Sequence, residues 1–278
     1  VSSSIDIPTS YVNIGTPRGM VMNDDGNIWY VDSANTRIVL FDPDTNTILR
    51  TVGRSGSAEG EFDNRIYSIT MDNDGYLYVL AGSNWVYKLD ANGGYITMYD
   101  LHTLSGKCWD PRGIVYDTFS DSFFVTSLGN FNVTQYSRNN MTFMGDFGSE
   151  GTDIGEFTNP WGITTDSIGR IYVVDGGYGS TNVQVFGPGP SYTPIRQITT
   201  WDDGVDEFQT FNFPRSVLVS ADGTISVTSA EGEHVVVQFD DDGHWIRTWP
   251  FANDGRISDM SNPEFLIKDP AGNIYVGD

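Results

Sequence analysis

The sequence is poor in cysteine, histidine and lysine, and it contains no long apolar run. Its single cysteine, Cys108, excludes a disulfide within the chain and is expected to be a buried, apolar thiol. Because no apolar run approaches about 18 residues, no segment is expected to insert into a membrane. Lysine and arginine total 15 against 37 aspartates and glutamates, which gives a formal charge of -22. Such a field repels phosphate backbones, so nucleic acid is not an expected partner.

The first residues and two sequons favour a secreted protein. The sequence begins Val1-Ser-Ser-Ser without a methionine, as a chain does after a signal peptide has been removed. Asn132-Val-Thr134 and Asn140-Met-Thr142 are glycosylation sequons that fall where turns are predicted. We therefore expect an extracellular location, with Asn132 and Asn140 as candidate glycosylation sites.

A helical apolar period is also missing, so essentially no helix is expected. The sequence instead contains short alternating apolar runs separated by turn-forming residues. Between Pro17 and Asp42, three such runs are separated by Asp-Asp-Gly-Asn and Asp-Ser-Ala-Asn-Thr, which are typical of hairpin turns. A fourth run, from Thr47 to Val52, completes a four-stranded antiparallel meander.

This four-stranded unit recurs along the whole chain. The glycine of its first turn recurs every 47 to 54 residues, with Ser122 in its place in the third unit: Gly26, Gly75, Gly169, Gly223 and Gly272. Prolines open all units except the second, which has Ile66 instead: Pro17, Pro111, Pro160, Pro214 and Pro263. A four-stranded unit repeated at about 40 to 50 residues is a β-propeller blade. The sequence predicts one all-β domain, a six-bladed propeller with blades at 17–53, 66–100, 111–148, 160–200, 214–250, and 263–278 together with 1–8.

The sixth unit stops after its second strand, at Asp278. An exposed strand edge is a template for pairing, so this blade is expected to be closed. A strand predicted at Ser3 to Ile7 would close it from the amino-terminal side, and this option is favoured because a local tether lowers the entropic cost. The alternative is a strand from another chain, which would give a homo-oligomer or an open fibre.

Three segments of the first unit follow a known repeat pattern: Pro17-Arg-Gly-Met-Val, Gly26-Asn-Ile-Trp-Tyr-Val-Asp32 and Asn35-Thr-Arg-Ile-Val-Leu-Phe-Asp42. They resemble an NHL repeat, the motif of six-bladed NHL β-propellers, and the fourth unit resembles it in Pro160-Trp-Gly and Gly169-Arg-Ile-Tyr-Val-Val-Asp175. The resemblance implies the fold. It does not imply one function, because the family includes lyases, scaffolds, receptors and RNA-binding modules.

The residue after each unit-opening position is expected at the start of an innermost strand, near one mouth of the central channel. These residues form the mouth ring: Arg18, Tyr67, Arg112, Trp161, Arg215 and Glu264. Guanidinium groups beside aromatic faces suit a carboxylate, a sulfate or a sugar acid, so an anionic small molecule or glycan is the predicted ligand. The alternative is structural, with the arginines paired to acids such as Glu264, Glu61 and Glu156.

Aspartates at strand ends and in turns are the candidate metal ligands. Asp32, Asp175 and Asp278 end second strands, where the family resemblance implies that they brace the following turn. Asp42-Pro-Asp44-Thr-Asn46 begins like a calcium loop but lacks the following glycine and the distal glutamate. Hairpin turn chemistry explains this segment without a metal. No cofactor is therefore predicted, and calcium is the one metal that these turns would suit.

Catalysis is the less favoured function. The family that the sequence resembles includes amidating lyases, which hold zinc in the channel with histidines and a tyrosine. The three histidines here fall in a linker, at the start of a third strand and in an outer hairpin: His102, His234 and His244. Tyr67 would be the best acid–base candidate, and Glu264 is the only acid in the mouth ring. The sequence predicts a secreted, non-catalytic propeller that acts as a binding module or as an assembly subunit through its sheet edges. The alternative function is a lyase or lactonase-type enzyme with a calcium site.

Overall fold

Almost all regular structure in this chain is antiparallel β-strand. The computed structural model describes residues 15–177, 180–202, 208–230, 234–249, 260 and 262–278. Its strands pair with their neighbours in sequence, so each sheet is a simple meander. Within the described ranges, no helix is long and apolar enough to cross a membrane.

Five sheets have four strands each, and we name them blades one to five. Blade one consists of β1 (Pro17–Met22), β2 (Ile28–Asp32), β3 (Arg37–Asp42) and β4 (Thr47–Val52). Blade two consists of β5 (Ile66–Met71), β6 (Leu77–Ala81), β7 (Trp85–Leu89) and β8 (Tyr95–Asp100). Blade three consists of β9 (Pro111–Asp117), β10 (Ser122–Ser127), β11 (Asn132–Ser137) and β12 (Phe143–Phe147). Blade four consists of β13 (Pro160–Thr165), β14 (Ile171–Gly177), β15 (Ser180–Phe186) and β16 (Pro194–Ile198).

The other strands of the described residues follow blade four. A short hairpin of β17 (Thr200–Trp201) and β18 (Gln209–Thr210) precedes blade five. Blade five consists of β19 (Pro214–Val219), β20 (Ile225–Ser229), β21 (Val235–Phe239) and β22 (Trp245–Trp249). The last two strands, β23 (Phe265–Lys268) and β24 (Ile274–Gly277), pair as a two-stranded sheet.

The first strands of the sheets form a closed ring. Each contacts the first strand of the next sheet in the order β1, β5, β9, β13, β19 and β23, and β23 in turn contacts β1. This radial arrangement of meanders is a β-propeller. The described residues form five four-stranded blades rather than the predicted six, because the sheet in the sixth place has only two strands in the described part of the chain. The strand predicted at Ser3 to Ile7 lies outside the described residues.

The apolar core lies between adjacent blades. Second strands such as β2 and β6 are buried along their whole length because another blade covers each face. Between blades one and two, for example, Trp29 and Val31 pack with Leu77 and Val79. Outermost strands such as β4 are largely exposed. This gradient holds the innermost strands in fixed positions around the channel.

The strand positions predicted within the described residues are confirmed, and the expectation of essentially no helix needs a small correction. A five-residue helix, α1 (Leu101–Ser105), connects blades two and three. Asp100 caps it by accepting hydrogen bonds from the amides of His102 and Thr103, and so short a helix has no room for an apolar period. The Cys108 thiol is buried, as predicted, and burial raises its pKa to about 12.

Two local assignments from the sequence were wrong. Asn132 is the first residue of β11 and is buried, and its amide donates to Asp146 Oδ2 at 3.1 Å, whereas an exposed turn was expected. Asn140 does lie in an exposed turn.

In the third unit, the left-handed backbone position before the second strand belongs to Asp121 (φ 51°) and not to Ser122. Short polar residues such as aspartate tolerate this conformation.

Candidate functional site

A β-bulge at the start of the innermost strands positions the mouth ring. In blade one, Pro17 pairs with Asp32 and Met20 with Tyr30, so Arg18 and the next residue together oppose one residue of β2. Equivalent irregularities follow the first residue of β5, β9, β13 and β19. A bulge bends its strand and re-aims the side chains it carries. The same repeated irregularity therefore positions five of the six ring residues at the channel mouth, and Glu264, before β23, is the exception.

The backbones of neighbouring inner strands approach closely at this level. A β-carbon on Gly113 would lie 2.5 Å from the carbonyl oxygen of Trp161, and one on Gly162 would lie 2.3 Å from that of Arg215. Thr126 Oγ1 accepts from the Gly113 amide at 2.8 Å and donates to the Trp161 carbonyl at 2.6 Å. Glycine after the ring residue thus lets the blades close around a narrow mouth.

All six residues of the predicted mouth ring line one cavity, together with Gly113, Gly162 and Phe265. The cavity is small, since about 10 Å³ is open to the centre of a water molecule. That volume corresponds to roughly one ordered water. The mouth is therefore nearly filled by its own side chains.

The three guanidinium groups stack on the two aromatic rings. Arg215 Cζ lies 4.0 Å from the centroid of Trp161, and Arg112 and Arg18 lie 5.4 and 5.8 Å from it. Arg112 and Arg18 also lie 4.5 and 5.7 Å from the centroid of Tyr67. These are cation–π distances. Trp161 is the hub of the ring because all three cations contact it.

Three of the six ring side chains are held by the residue two positions earlier. Asp110 accepts two hydrogen bonds from Arg112, with both nitrogen–oxygen distances at 2.7 Å. Trp161 Nε1 donates to Asn159 Oδ1 at 3.0 Å. Asn262 Nδ2 donates to Glu264 Oε1 at 2.8 Å. Sequence reasoning missed these orienting residues, although each directly precedes a unit-opening proline in the printed sequence.

Arg18 lacks such support. Thr16, two positions before it, makes no hydrogen bond to the guanidinium, and in the described part of the chain Arg18 forms no ion pair or hydrogen bond. Because an arginine stays protonated in proteins, Arg18 is a half-buried cation whose contacts are aromatic rings.

The glutamates named in the structural alternative have other partners. Glu61 pairs with Arg54 in its own loop, at 2.6 Å, and accepts from the Ala58 amide at 3.0 Å. The Ala58 hydrogen bond, followed by Arg54, lowers the pKa of Glu61. Glu156 accepts from the Asp153 amide at 3.2 Å. Arg112 of the ring forms an ion pair with Asp110, at 2.7 Å, which the sequence analysis did not identify.

The aspartates at the ends of second strands brace nearby backbone. Asp32 is fully buried and accepts from the Gly15 amide at 2.9 Å, the Asn35 amide group at 2.9 Å and Arg37 Nε at 2.7 Å. Asp175 accepts from the Thr158 amide at 3.0 Å, so it braces the preceding linker. Asp278 accepts from the amide of Asn262.

The candidate metal ligands are dispersed. The three histidines lie in α1, at the start of β21 and in the outer hairpin of blade five: His102, His234 and His244. Asp42 accepts from the Thr45 hydroxyl at 2.7 Å, and this bond lowers its pKa. No group of three histidine, cysteine, aspartate or glutamate side chains in the described ranges is placed to share a metal ion.

At the opposite end of the inner strands, carboxylates are satisfied within their own turns. Asp72 accepts from the Tyr76 amide at 3.0 Å and from the Tyr78 hydroxyl at 3.1 Å. In blade four, Asp166 accepts from the Arg170 amide at 2.9 Å and from the Tyr172 hydroxyl at 3.2 Å. Burial, and then the nearby aspartate, raises the pKa of both Tyr78 and Tyr172.

Comparisons with known proteins identify the fold. No protein-family model matches the sequence, and no curated protein matches it. Many solved structures are similar in shape. A Bacteroides thetaiotaomicron protein of unknown function has a TM-score of 0.65 at 16% identity, covering 95% of this chain and 67% of that one. A streptogramin B lyase has a TM-score of 0.63 at 13% identity over 96% and 92% of the two chains. A chain of the nidogen/laminin complex has a TM-score of 0.63 at 15% identity over 85% and 81%. At these identities the likeness shows the β-propeller fold alone.

Proposed function

We propose that this chain is a non-catalytic binding module whose mouth ring takes the carboxylate of an anionic small molecule or glycan. The observation that supports this proposal best is Arg18, a permanent cation half-buried beside Tyr67 and Trp161 without an acidic partner in the described residues. Structural arginines in proteins are usually paired when buried. A ligand carboxylate would supply the missing charge-assisted hydrogen bonds.

The electrostatics of the ring support the same proposal. Three guanidinium carbons lie within 5.8 Å of one indole centroid, and like charges so close repel one another. Asp110 compensates the charge of Arg112, whereas Arg18 forms no ion pair with the described residues. An anion that settles over the mouth would compensate the charge of Arg18 and so lower the repulsion.

The size of the cavity limits the ligand. With room for about one water molecule inside, a sugar or a larger molecule lies over the mouth, and only its charged group reaches between the arginines. The preorganised stacking on Trp161 and Tyr67 lowers the entropy that binding would otherwise lose.

The direct test is a titration of the protein with acetate, glucuronate, galacturonate and N-acetylneuraminate, followed by calorimetry and tryptophan fluorescence. We expect saturable binding of the acids and none of neutral glucose or galactose. Arg18→Gln should weaken binding about tenfold, since one charge-assisted hydrogen bond is lost.

The matched control is Arg50→Gln, which removes the same charge from the outer strand of the same blade. Arg50 Nη1 bonds only the Asn92 carbonyl, at 3.0 Å, so its loss should leave affinity unchanged. Equal binding of neutral and acidic sugars, or equal effects of the two substitutions, would contradict the proposal.

The alternative function is a lyase or lactonase-type enzyme with a calcium site. One similar structure is a streptogramin B lyase and another is a virginiamycin B lyase from Staphylococcus aureus. Tyr67 and Glu264 are the acid–base groups that the mouth offers. Turnover of a lactone or of streptogramin B that requires calcium and is lost in Tyr67→Phe would favour this alternative over the binding module.

Three further proposals concern the repeat family, the location and the assembly of the chain. We propose that the propeller is of the NHL type, is secreted, and has a sixth blade completed by residues 3–7. Among the described residues, the sheet of β23 and β24 has no third strand, and unpaired edges recruit strands. Deletion of residues 1–8 tests this idea: lower thermal stability at every concentration supports self-closure, whereas loss of oligomers with an intact fold supports a strand donated by another copy. A stable, unchanged monomer would contradict both.

A further inference from the structure

Trp109 is a half-exposed aromatic residue at the mouth end of blade three. Its side chain is 50% exposed, although a large apolar ring is stabilised by burial. It immediately precedes Asp110, whose carboxylate holds Arg112 in the mouth ring. Because β9 begins at Pro111, Trp109 lies at the same end of blade three as the ring.

The ring of Trp109 is held in place from several sides. The imidazole of His102 meets it edge-on, with centroids 4.9 Å apart and planes at 81°. The Trp109 amide donates to the Ser127 hydroxyl at 2.9 Å, and its carbonyl accepts from that hydroxyl at 2.8 Å. A β-carbon on Gly129 would lie 2.5 Å from Trp109 Cδ1, so glycine makes room for the indole against the backbone. The exposed indole is therefore rigid.

The surroundings of Trp109 suit a sugar better than a protein. Two polar residues close to it in the sequence or beside Gly129, Lys107 and Asn130, are exposed. A stable protein interface needs a broad patch that buries about 800 Å² per partner. A single rigid aromatic face is enough for the apolar face of one pyranose ring.

We propose that Trp109 is a second subsite, so that the ligand of the mouth is an acidic oligosaccharide of at least two sugars. The uronate carboxylate lies over the mouth ring near Arg18, and the neighbouring sugar stacks on Trp109. This inference rests on the proposed function, because it needs a carboxylate at the mouth. It adds the chemical class of the ligand and its minimum length.

The test compares chain lengths. Galacturonate, glucuronate and mannuronate are titrated as monosaccharides and as short oligosaccharides that contain them. At least one series should bind about tenfold more tightly as an oligosaccharide, the increment expected for one stacked ring. Trp109→Ala should remove that increment and leave the affinity for the monosaccharide unchanged, whereas Trp109→Phe should retain part of it.

The control is Phe119→Ala, which removes another exposed aromatic, 59% exposed, from the turn at the opposite end of blade three. This variant should keep the full increment. If the affinity is independent of chain length, the proposed Trp109 subsite is contradicted and the proposed mouth site is not. If Trp109→Ala weakens monosaccharides and oligosaccharides equally, the subsite is also wrong. If none of the three series binds, both proposals fail.

Discussion

The two ends of the inner strands use charge in opposite ways. At the turn end, Asp166 receives hydrogen bonds from its own turn, and Arg170 pairs with both Asp166 and Asp241 of the next blade, at 2.5 and 2.7 Å. At the mouth end, Arg18 rests on aromatic rings without an acid. Local partners that recur from blade to blade explain the fold. A repeated position whose local partner is missing is where a function is expected.

The backbone and one side chain of the mouth differ from each other: the inner strands pack tightly, whereas Arg18 forms no ion pair or hydrogen bond with the described residues. Glycines and hydroxyls fix the inner strands against one another at this level, as Thr126 does between blades three and four. A rigid frame carrying groups with spare hydrogen-bonding capacity is what a preorganised binding site requires.

The largest effect should come from the backbone at the mouth. Gly162→Ala places a methyl group 2.3 Å from the Arg215 carbonyl, so blades four and five must separate. We expect the free energy of unfolding to fall by about 3 kcal/mol. Urea denaturation measures the change.

Gly145 in outer strand β12 provides the control, because nothing lies within 4 Å of a β-carbon there. Gly145→Ala should change stability by less than about 0.5 kcal/mol. Similar losses of stability in both variants would show that the close approach of the inner strands is not the reason why Gly162→Ala destabilises the protein.

The second prediction contrasts charges at the two ends. Asp166→Ala leaves the buried Tyr172 hydroxyl without its partner and removes one of the two acids around Arg170, so stability should fall by about 2 kcal/mol. Arg18→Gln should change it by less than about 0.5 kcal/mol, because Arg18 has no polar partner to lose in the described residues. If Arg18→Gln destabilises the protein as much as Asp166→Ala, the proposed difference in charge pairing between the two ends is contradicted.

Much of this contrast could be predicted from the sequence. Alternating apolar runs between Asp-Gly turns gave the strand positions, and counting from the opening prolines located the residues of the mouth ring. The partners of the ring could not be predicted in this way. Asp110 and Asn159 precede the strands β9 and β13, in linkers that have no apolar period. The direction of the Asp110 side chain depends on a left-handed backbone (φ 53°), which the sequence pattern does not reveal. The burial of Asn132 was missed for a related reason, since its contact with Asp146 joins two strands.

The third prediction concerns pH at the turn end. Burial, and then the hydrogen bond to Asp121, raises the pKa of Tyr116 from 10.0 to about 12. The folded state thus retains the phenol proton more strongly than the unfolded state. The stability that this group contributes is complete below pH 10 and is lost as the pH rises from 10 to about 12. Tyr116→Phe should make the alkaline decline in melting temperature shallower, and an identical decline in both proteins would contradict the assignment.

The smallest effect should come from neutralising Asp110, the acid that pairs with Arg112 of the ring. Asp110→Asn keeps an oxygen that can accept from Arg112 and makes the mouth more positive by one charge. At a separation of about 6 Å in a solvated site, one charge changes the binding free energy of an anion by about 0.7 kcal/mol, so affinity for a uronate should rise about threefold. Asp74→Asn makes the same change of charge at the turn end, where Asp74 pairs with Arg138 at 3.0 Å, and should leave affinity unaltered.

Calorimetry measures the uronate affinity of both variants at low and at physiological salt. If the higher affinity of Asp110→Asn is electrostatic, salt should reduce it by screening. A rise of equal size in both variants would assign the effect to the net charge of the protein. A fall in Asp110→Asn would show instead that the carboxylate is needed to hold Arg112 in its binding position.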